Sequence, residues 1–368
     1  MLDEKSRAWI NLARAKIPDA LKRSVLERCP DPREALRFDL ESLNTGSRRS
    51  RVLSRNLSAL VDQQDVAQDV DWCSMPQRSV IGLTDRLFPS QLREISCPPI
   101  AIFCEGDQKL LRRQMIAMVG SRKPTPGGLK IAEEMAAVVS AAGFTVVSGL
   151  AIGIDTIAHV GALSASGSTI GVCATGLDRV YPRQNTKLAR DIVDKGVLIS
   201  EFPVGTPVRK HHFPRRNRMI SGLAIATVVV EAAIRSGSLI TAGFAADQGR
   251  EVFAVPGSIY SPVSRGPHHL IRDGACLVES GDQILEALGG FNSNLSNQSQ
   301  HRNQHQKPPQ WAIKILSAID FTPTSIDQIA ERSGLTISEI CAMLIRMECK
   351  KLITNCTGVA KSTTSRRF

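Results

Sequence analysis

The sequence predicts an α/β protein built on an extended Rossmann-type, doubly wound and mostly parallel sheet. A small all-helical domain is expected before the sheet and a winged-helix module after it. Three observations support this fold class. Apolar, β-rich runs alternate with helical stretches mid-chain, the first part lacks such runs, and a polar, low-complexity segment precedes the last part. Continuous apolar strands that alternate with helices are typical of a parallel sheet buried on both faces.

Residues 1–78 are predicted to be helical. Apolar residues recur at helical spacing, first at Trp9, Leu12, Ala13 and Ile17 and later at Leu53, Leu57, Leu60 and Val61. Because this spacing places apolar side chains on one face of a helix, and β-branched runs are few, we expect a small helical domain here.

Residues 79–288 are predicted to form the sheet domain. The predicted strands cover residues 115–119, 144–147, 169–173, 196–199, 224–230 and 251–255. A helix is expected from Leu129 after the first of these strands, and another from about Asp155 after the second. In parallel sheets, ligands bind beyond the carboxyl ends of the strands. Glycine-rich turns at positions 120, 149, 176 and 237 follow predicted strands, so we expect them to gather on that edge.

The first turn, Gly120–Gly128, contains Ser121 and Arg122 and leads into a predicted helix. Backbone N–H groups at such a turn suit an anionic oxygen, although a tight turn with exposed basic residues is the simpler interpretation. The Gly-x-Gly-x-x-Gly and Walker A patterns are absent, and no acid ends the second strand. Nicotinamide and flavin binding are therefore disfavoured, and we expect no cofactor.

The later turns offer further candidates. Gly149 and Gly153 permit close backbone approach, and Asp155 is suited to capping the next helix. His159 follows one helical turn later and is placed to share a hydrogen bond with Asp155, so structural roles are favoured for both. Two further candidates for phosphate contact are Arg183, which follows a proline, and Ser238, in a small-residue turn.

The stretch between Glu201 and Glu231 contains no acidic residue. Its basic residues are Arg209, Lys210, Arg215, Arg216 and Arg218, with His211 and His212 beside them. We interpret it as a loop punctuated by glycine and proline. A local excess of about five positive charges is typical of a surface that contacts a phosphate backbone, and a solvated basic loop is the alternative.

Residues 289–310 are predicted to be a disordered polar linker, because their composition cannot bury a core. Residues 311–368 are predicted to form the winged-helix module, with a basic tail. Helix-like spacing begins at Trp311, a second helix opens at Ser325, and Thr336 to Glu339 match a capping box for a third. A hairpin is expected after residue 352. The third helix carries few bases, so we expect protein contact or weak duplex binding from this module.

The overall composition points to a soluble protein with a polyanionic partner. The net charge is +11 over 368 residues. The nine cysteines form no Cys-x-x-Cys pair, and neither a metal-ligand cluster nor an apolar run long enough for a membrane span stands out. No secretory signal is recognised, so the expected location is cytoplasmic, with reduced thiols and no membrane contact.

Taken together, these residues resemble the DprA/Smf family of DNA-processing proteins. The resemblance lies in Val119–Thr125, Ser148–His159, Gly176–Asn185, Ile199–Pro203, His212–Leu223, Ser236–Ala242, Gly249–Ser258 and Ser264–Ile271. It covers roughly residues 80–288, and the helical (SAM-like) and winged-helix flanks also resemble members with three domains.

The resemblance implies an extended Rossmann domain that binds single-stranded DNA, forms a homodimer and has no catalytic activity. It also implies that the protein protects incoming DNA and loads the RecA recombinase onto it during natural transformation. The DNA-binding positions that it implies are Ser121, Arg122, Gly149, Gly153, Arg183, Lys210, Arg215, Asn217, Arg218 and Ser238. Arginines would hold phosphate oxygens, glycine turns would let main-chain N–H groups approach, and Phe213 is the one aromatic of the stretch that is suited to stacking on a base.

Two other classes of function stay open at this point. A nucleotide phosphoribohydrolase is built on a related sheet and needs an acid near the N-glycosidic bond, for which Glu201, Glu231 and Asp155 are the candidates. A transcription regulator would instead use the winged helix to bind duplex DNA of a particular sequence.

Overall fold

The structure is a computed structural model that describes residues 2–40, 57–289, 315, 318, 324–349, 353–356 and 359–362. The chain divides into two compact units, Met1–Ser293 and Asn294–Phe368. Within the described residues, no helix has both the length and the apolar character that crossing a bilayer requires.

The first unit begins with helices, as predicted for the part of residues 1–78 that the structure describes. They are α1 (Glu4–Arg14), α2 (Asp19–Arg28), α3 (Pro32–Arg37) and α4 (Gln63–Cys73), with a short 3-10 turn at Leu57–Leu60. Trp9 and Leu12 are buried, whereas Leu53 lies outside the described residues. The Trp9 indole packs so closely on Gly82 that a Cβ there would lie 1.8 Å away. The helices therefore share one hydrophobic core with the sheet that follows.

The sheet confirms the predicted fold class. Its strands are β1 (Arg78–Gly82), β2 (Ala101–Gly106), β3 (Met115–Val119), β4 (Thr145–Ser148), β5 (Thr169–Val172), β6 (Val197–Ser200), β7 (Ala226–Val229), β8 (Glu251–Ala254) and β9 (Cys276–Leu277). Their order is β1-β2-β6-β5-β4-β3-β7-β8-β9. The pairs from β6 to β9 are parallel, whereas β2 pairs antiparallel with β1 and with β6.

Helices cover the sheet between its strands. They are α5 (Ser90–Arg93), α6 (Pro126–Ala141), α7 (Ile154–Ser164), α8 (Thr186–Lys195), α9 (His212–Leu223), α10 (Gly237–Asp247), α11 (Arg265–Arg272) and α12 (Gly281–Ala287). Short 3-10 turns also occur at Gln108–Arg112 and Arg183–Asn185. The order places β3 between β4 and β7. Strands β4, β5 and β6 therefore extend to one side of β3, and β7, β8 and β9 extend to the other. The turns at 120, 149, 176 and 237 do gather at the carboxyl edge of the parallel strands.

Three local expectations were wrong. The helix after β3 begins at Pro126 rather than Leu129, because Thr125 accepts the Gly128 N–H as its N-cap. The antiparallel strands β1 and β2 were not predicted, since pairing with β6 is a long-range property. The basic stretch is not a loop throughout, because residues 212–223 form α9. Pro214 is compatible with that helix because first-turn N–H groups have no intrahelical acceptor.

The second unit contains a winged-helix arrangement in its described residues. Its elements are β10 (Thr324–Ser325), α13 (Ile326–Ser333), α14 (Ile337–Cys349), β11 (Ile353–Cys356) and β12 (Val359–Ser362). The predicted hairpin is confirmed, with β12 between β10 and β11. Both capping motifs form, Ser325 with Gln328 and Thr336 with Glu339. The predicted linker, apart from Gly289, and most of the helix from Trp311 lie outside the described residues.

Candidate nucleic-acid interface

Helix α9 presents its basic residues in two directions. An α-helix turns once every 3.6 residues, so positions three apart lie on the same side. Phe213 and Arg216 face the edge of the sheet, and we call this side the pocket face. Arg215 and Arg218 face Glu201, and we call this side the clamp face. The distribution could not be predicted while the stretch was interpreted as a loop.

A small pocket of about 70 Å³ opens on the pocket face. It is lined by Arg122, Gly149, Ala151, Ile152, Ala174, Tyr181, Pro182, Phe213 and Arg216. The Tyr181 ring meets the Phe213 ring edge-on, with centroids 6.0 Å apart. The guanidinium carbons of Arg122 and Arg216 lie 5.5 and 5.9 Å from the Phe213 centroid, within the range of cation–π attraction. The pocket therefore combines aromatic surface with positive charge.

Arg216 forms the floor of this pocket. Its side chain is only 5% exposed, and Nη1 lies 3.9 Å from Oδ2 of Asp155. Within the described residues, Nε and Nη1 have no hydrogen-bond partner. The guanidinium lies against Gly149, where an added Cβ would be 1.3 Å from Nη1. Nε and Nη1 are enclosed by protein, so what Arg216 offers the pocket is the positive charge of a buried guanidinium, which suits an anionic ligand.

The two glycine turns are linked to one another beside the pocket. Ser121 accepts the Ile154 N–H through its carbonyl, and its hydroxyl accepts the Lys123 N–H. Gly153 has φ +86°, and a Cβ there would lie 2.3 Å from the Ser121 carbonyl oxygen, so this close approach requires glycine. The Gly149 N–H donates to Asp155 at 3.1 Å, and is therefore engaged within the protein.

Three predicted cations are exposed on the same edge. Arg122 follows β3, Arg183 lies in the 3-10 turn after β5, and Lys210 lies two residues before α9. None of them forms an ion pair with another described residue. Asn185 holds the Arg183 turn in place by donating to the Leu150 carbonyl at 2.8 Å. These side chains can therefore reach an external phosphate without breaking an ion pair within the described residues.

The clamp face is different, because its arginines already have carboxylate partners. Arg215 donates to Glu201 at 3.1 Å and to Asp19 of α2 at 2.8 Å. Arg218 pairs with the same Glu201 carboxylate and donates to the Cys97 carbonyl. Burial raises the pKa of Glu201, and the two arginines oppose that rise. Both arginines were predicted to contact DNA, but here they join α9 to neighbouring parts of the protein.

The other two polar candidates also have internal partners. Asn217 is buried and donates to the Gly237 carbonyl at 3.2 Å. The Ser238 hydroxyl donates to the Gly120 carbonyl at 2.7 Å. These contacts connect α9, α10 and the β3 turn. Asn217 and Ser238 therefore maintain the shape of the edge in this structure.

The acidic residues near the site also accept hydrogen bonds from within the protein. Glu231 accepts from the Thr125 hydroxyl at 2.6 Å and from its N–H at 2.8 Å. The expected hydrogen bond between Asp155 and His159 does not form, because Asp155 faces Gly149 and Arg216. His159 instead contacts the Thr169 hydroxyl at 2.7 Å, and burial lowers its pKa to about 3.

Residue-by-residue reasoning missed two features of this site. Tyr181 was not singled out, although a tyrosine beside a basic turn at a strand end is a usable signal. Asp19 was not connected with Arg215, and no local signal could have found a partner 196 residues away. Arg216 was considered less secure than its neighbours, yet it is the arginine of α9 that lines the pocket.

Comparison with known protein families gives matches over both units. A family model described as DNA recombination-mediator protein A matches residues 79–289, and one described as the DprA winged helix domain matches residues 305–358. The chain is 37% identical over 292 residues to protein Smf from Escherichia coli, an alignment that covers 78% of each chain. It is 43% identical over 211 residues to DNA processing protein DprA from Bacillus subtilis, covering 57% of this chain and 71% of that protein.

Two solved structures are similar as well. DNA processing protein A from Streptococcus pneumoniae superimposes with a TM-score of 0.67 at 34% identity, over 77% of this chain and 98% of that one. A structure of DNA processing protein A from Helicobacter pylori, described as revealing a single-stranded DNA binding mode, gives a TM-score of 0.53 at 28% identity. That match covers 58% of this chain and 95% of the Helicobacter protein.

Proposed function

The chain belongs to the DprA family of DNA recombination mediators, and on that premise we propose that it binds single-stranded DNA at the pocket face of α9. The observation that carries this proposal is the charge on the pocket face. Arg122 lines the pocket, Arg183 and Lys210 lie in nearby turns at the same edge of the sheet, and all three are exposed and form no ion pair within the described residues. A polyanion can occupy this edge without displacing an internal salt bridge.

The chemistry of the pocket favours single strands over duplex. Phosphates would be held by the exposed cations, and the Arg216 guanidinium would add positive charge at the pocket. An unstacked base can pack on the rings of Phe213 and Tyr181, whereas a base within a duplex does not offer its face. The Helicobacter protein named above, whose description refers to single-stranded DNA binding, supports the same ligand class here.

We further propose that the protein acts in natural transformation, where it protects incoming single strands and loads RecA onto them, without catalysis. The family resemblance supports this role. Homodimerisation is proposed at the β9 edge of the sheet, near the segment His268–Ile271. Leu277 in this short edge strand is 45% exposed, and an unpaired edge invites a second chain. A monomer by light scattering at micromolar concentration would contradict the dimer.

The enzymatic alternative is weakened by the position of its candidate acids. Glu201 pairs with two arginines, Glu231 accepts from Thr125, and Asp155 accepts from Gly149. None of these three carboxylates is among the residues that line the pocket. A phosphoribohydrolase needs an acid close to the glycosidic bond. Release of the base from a nucleoside monophosphate by the purified protein would revive this alternative.

The test is a fluorescence-anisotropy titration of labelled single strands against matched duplex over a salt series. Wild type is compared with the double variant Arg122→Ala/Lys210→Ala. We expect tighter binding of single strands, with a log–log salt slope of about −0.7 per phosphate contact that becomes shallower in the double variant. Equal affinity for duplex, together with an unchanged double variant, would contradict the site and favour the winged helix.

A further inference from the structure

A second exposed aromatic lies outside the pocket, in the loop between β8 and α11. Tyr260 is 87% exposed and Ile259 is 71% exposed, more than any other large hydrophobic side chain in the described part of the chain. We call residues 256–264 the Tyr260 loop. Exposing two adjacent apolar side chains is unfavourable in water, so the feature calls for a contact that covers them.

The loop is held in one shape by its own contacts. The Ser264 N–H donates to the Ser261 carbonyl at 3.2 Å, and a His268 ring nitrogen lies 3.0 Å from the Gly257 carbonyl oxygen. Gly257 packs closely on Ser264, because an added Cβ would lie 2.3 Å from the serine hydroxyl. The Tyr260 ring is therefore presented to solvent by a constrained backbone.

The Tyr260 loop adjoins the proposed DNA site through the segment that follows β7. The Ala232 N–H donates to the Val263 carbonyl at 2.7 Å, and the Gly266 N–H donates to the Ala232 carbonyl at 2.8 Å. The preceding residue, Glu231, accepts from Thr125 in the β3 turn that carries Arg122. These hydrogen bonds connect the Tyr260 loop to the turn that carries Arg122, so both lie at the carboxyl edge of the sheet.

The segments next to the Tyr260 loop are positively charged, as the pocket is. Residues 232–246 and 252–272 contain no acidic residue. Arg235 lies three residues after Ala232, and Arg265 directly precedes Gly266. Both arginines are exposed, and neither forms an ion pair with another described residue. Two exposed cations therefore lie in the segments that adjoin the Tyr260 loop in sequence or through backbone hydrogen bonds.

We propose that the Tyr260 loop is a second contact for single-stranded DNA, in which Tyr260 stacks on a base and Arg235 and Arg265 hold the adjacent phosphates. This inference rests on the proposed function and extends it to a longer track. Strands β4 and β8 are three spacings apart in the sheet, which corresponds to about 14 Å. Only oligonucleotides long enough to cross that distance reach both contacts.

The experiment measures the affinity of the full chain for oligothymidylates of increasing length. Wild type is compared with Tyr260→Ala and with the conservative variant Tyr260→Phe. We expect the shortest oligonucleotides, which fill only the pocket, to bind all three proteins equally. Longer ones should bind Tyr260→Ala about tenfold more weakly, because one base–aromatic stack is lost, while Tyr260→Phe binds like wild type.

An oligonucleotide with abasic positions isolates the stacking contribution. A long strand that carries abasic sites over the region reaching Tyr260 should bind wild type as weakly as the intact strand binds Tyr260→Ala. The same abasic strand should lose little further affinity for Tyr260→Ala. Because Tyr260 is so exposed, its replacement should leave the unfolding midpoint almost unchanged, which shows that the fold is intact.

The outcomes separate this inference from the function on which it rests. Tyr260→Ala overturns the inference if it binds long strands like wild type while Arg122→Ala weakens binding, and the pocket site then stands. The inference is also overturned if Tyr260→Ala has a lower molar mass than wild type by light scattering and an unchanged affinity for DNA. Tyr260 would then be covered by a second copy of the chain. Wild type that fails to prefer single strands at any length contradicts both proposals.

Discussion

The pocket face and the clamp face of α9 carry the same kind of residue in opposite states. Arg215, Arg216 and Arg218 lie within four positions, yet Arg215 and Arg218 share a buried carboxylate by direct hydrogen bonds, while Arg216 lines a pocket beside exposed Arg122 and lies 3.9 Å from Asp155. The difference shows that a count of basic residues overstates the capacity to bind a polyanion. What matters is which cations lack an internal partner.

Removing the Glu201 carboxylate, which pairs with both arginines of the clamp face, should have the largest effect on stability. Glu201→Ala leaves Arg218 largely buried without its partner, so we expect a loss of about 3–5 kcal/mol in the free energy of unfolding. Urea denaturation measures this loss. Glu279→Ala, at an exposed acid, is the matched control and should change stability by no more than about 0.5 kcal/mol. Equal effects of the two variants would contradict the stabilising role of the ion pairs between Glu201 and the clamp face.

Buried His159, in α7 beneath the edge of the sheet, should make the stability of the fold depend on acid pH. Burial lowers the pKa of His159 to about 3, so the unfolded chain takes up this proton below about pH 6.5 while the folded protein does not. Stability is therefore lost as pH falls through that window, by at most about 1.4 kcal/mol per pH unit from this group. In His159→Gln the dependence of stability on pH should be correspondingly shallower between pH 6.5 and 3. An unchanged slope would place His159 in a more polar setting than the structure shows.

Arg216 lies on the pocket face but is also paired with Asp155, so two variants are needed to separate its roles. Arg216→Met should weaken single-strand binding about tenfold, because a charge-assisted contact to phosphate is lost. It should also destabilise the fold by leaving Asp155 buried alone. Adding Asp155→Asn should restore stability but not affinity. Recovery of both together would mean that Arg216 only supports the shape of the pocket.

The smallest effect on stability is expected at Arg215, the more exposed arginine of the clamp face. The Arg215 side chain is 44% exposed, and its pairing with Asp19 is open to solvent. Arg215→Ala should therefore lower the free energy of unfolding by about 1 kcal/mol or less, and should leave single-strand affinity within about twofold of wild type. A loss of affinity comparable with that of Arg122→Ala would show that the ion pair opens to admit DNA.

The sequence was sufficient for the parallel sheet and for the edge where its turns meet, because both follow from local periodicity and from the glycine positions after strands. The family resemblance selected Arg122, Arg183 and Lys210 as DNA contacts, and the structure leaves all three exposed; their contact with DNA stays a prediction. It was insufficient for the roles of Arg215 and Arg218, since Asp19 and Glu201 meet α9 only after the chain has folded. The exposure of Tyr260 depends likewise on contacts between the loops after β7 and β8.

The most direct test of the account compares Arg122→Met with Arg218→Met, since each removes one guanidinium and keeps an apolar side chain. Single-strand affinity and the free energy of unfolding are measured for both proteins. We predict that Arg122→Met lowers affinity about tenfold at unchanged stability, whereas Arg218→Met lowers stability by a few kcal/mol at nearly unchanged affinity. The assignment of the two faces would be wrong if Arg218→Met lowered affinity without lowering stability, and Arg122→Met lowered stability without lowering affinity.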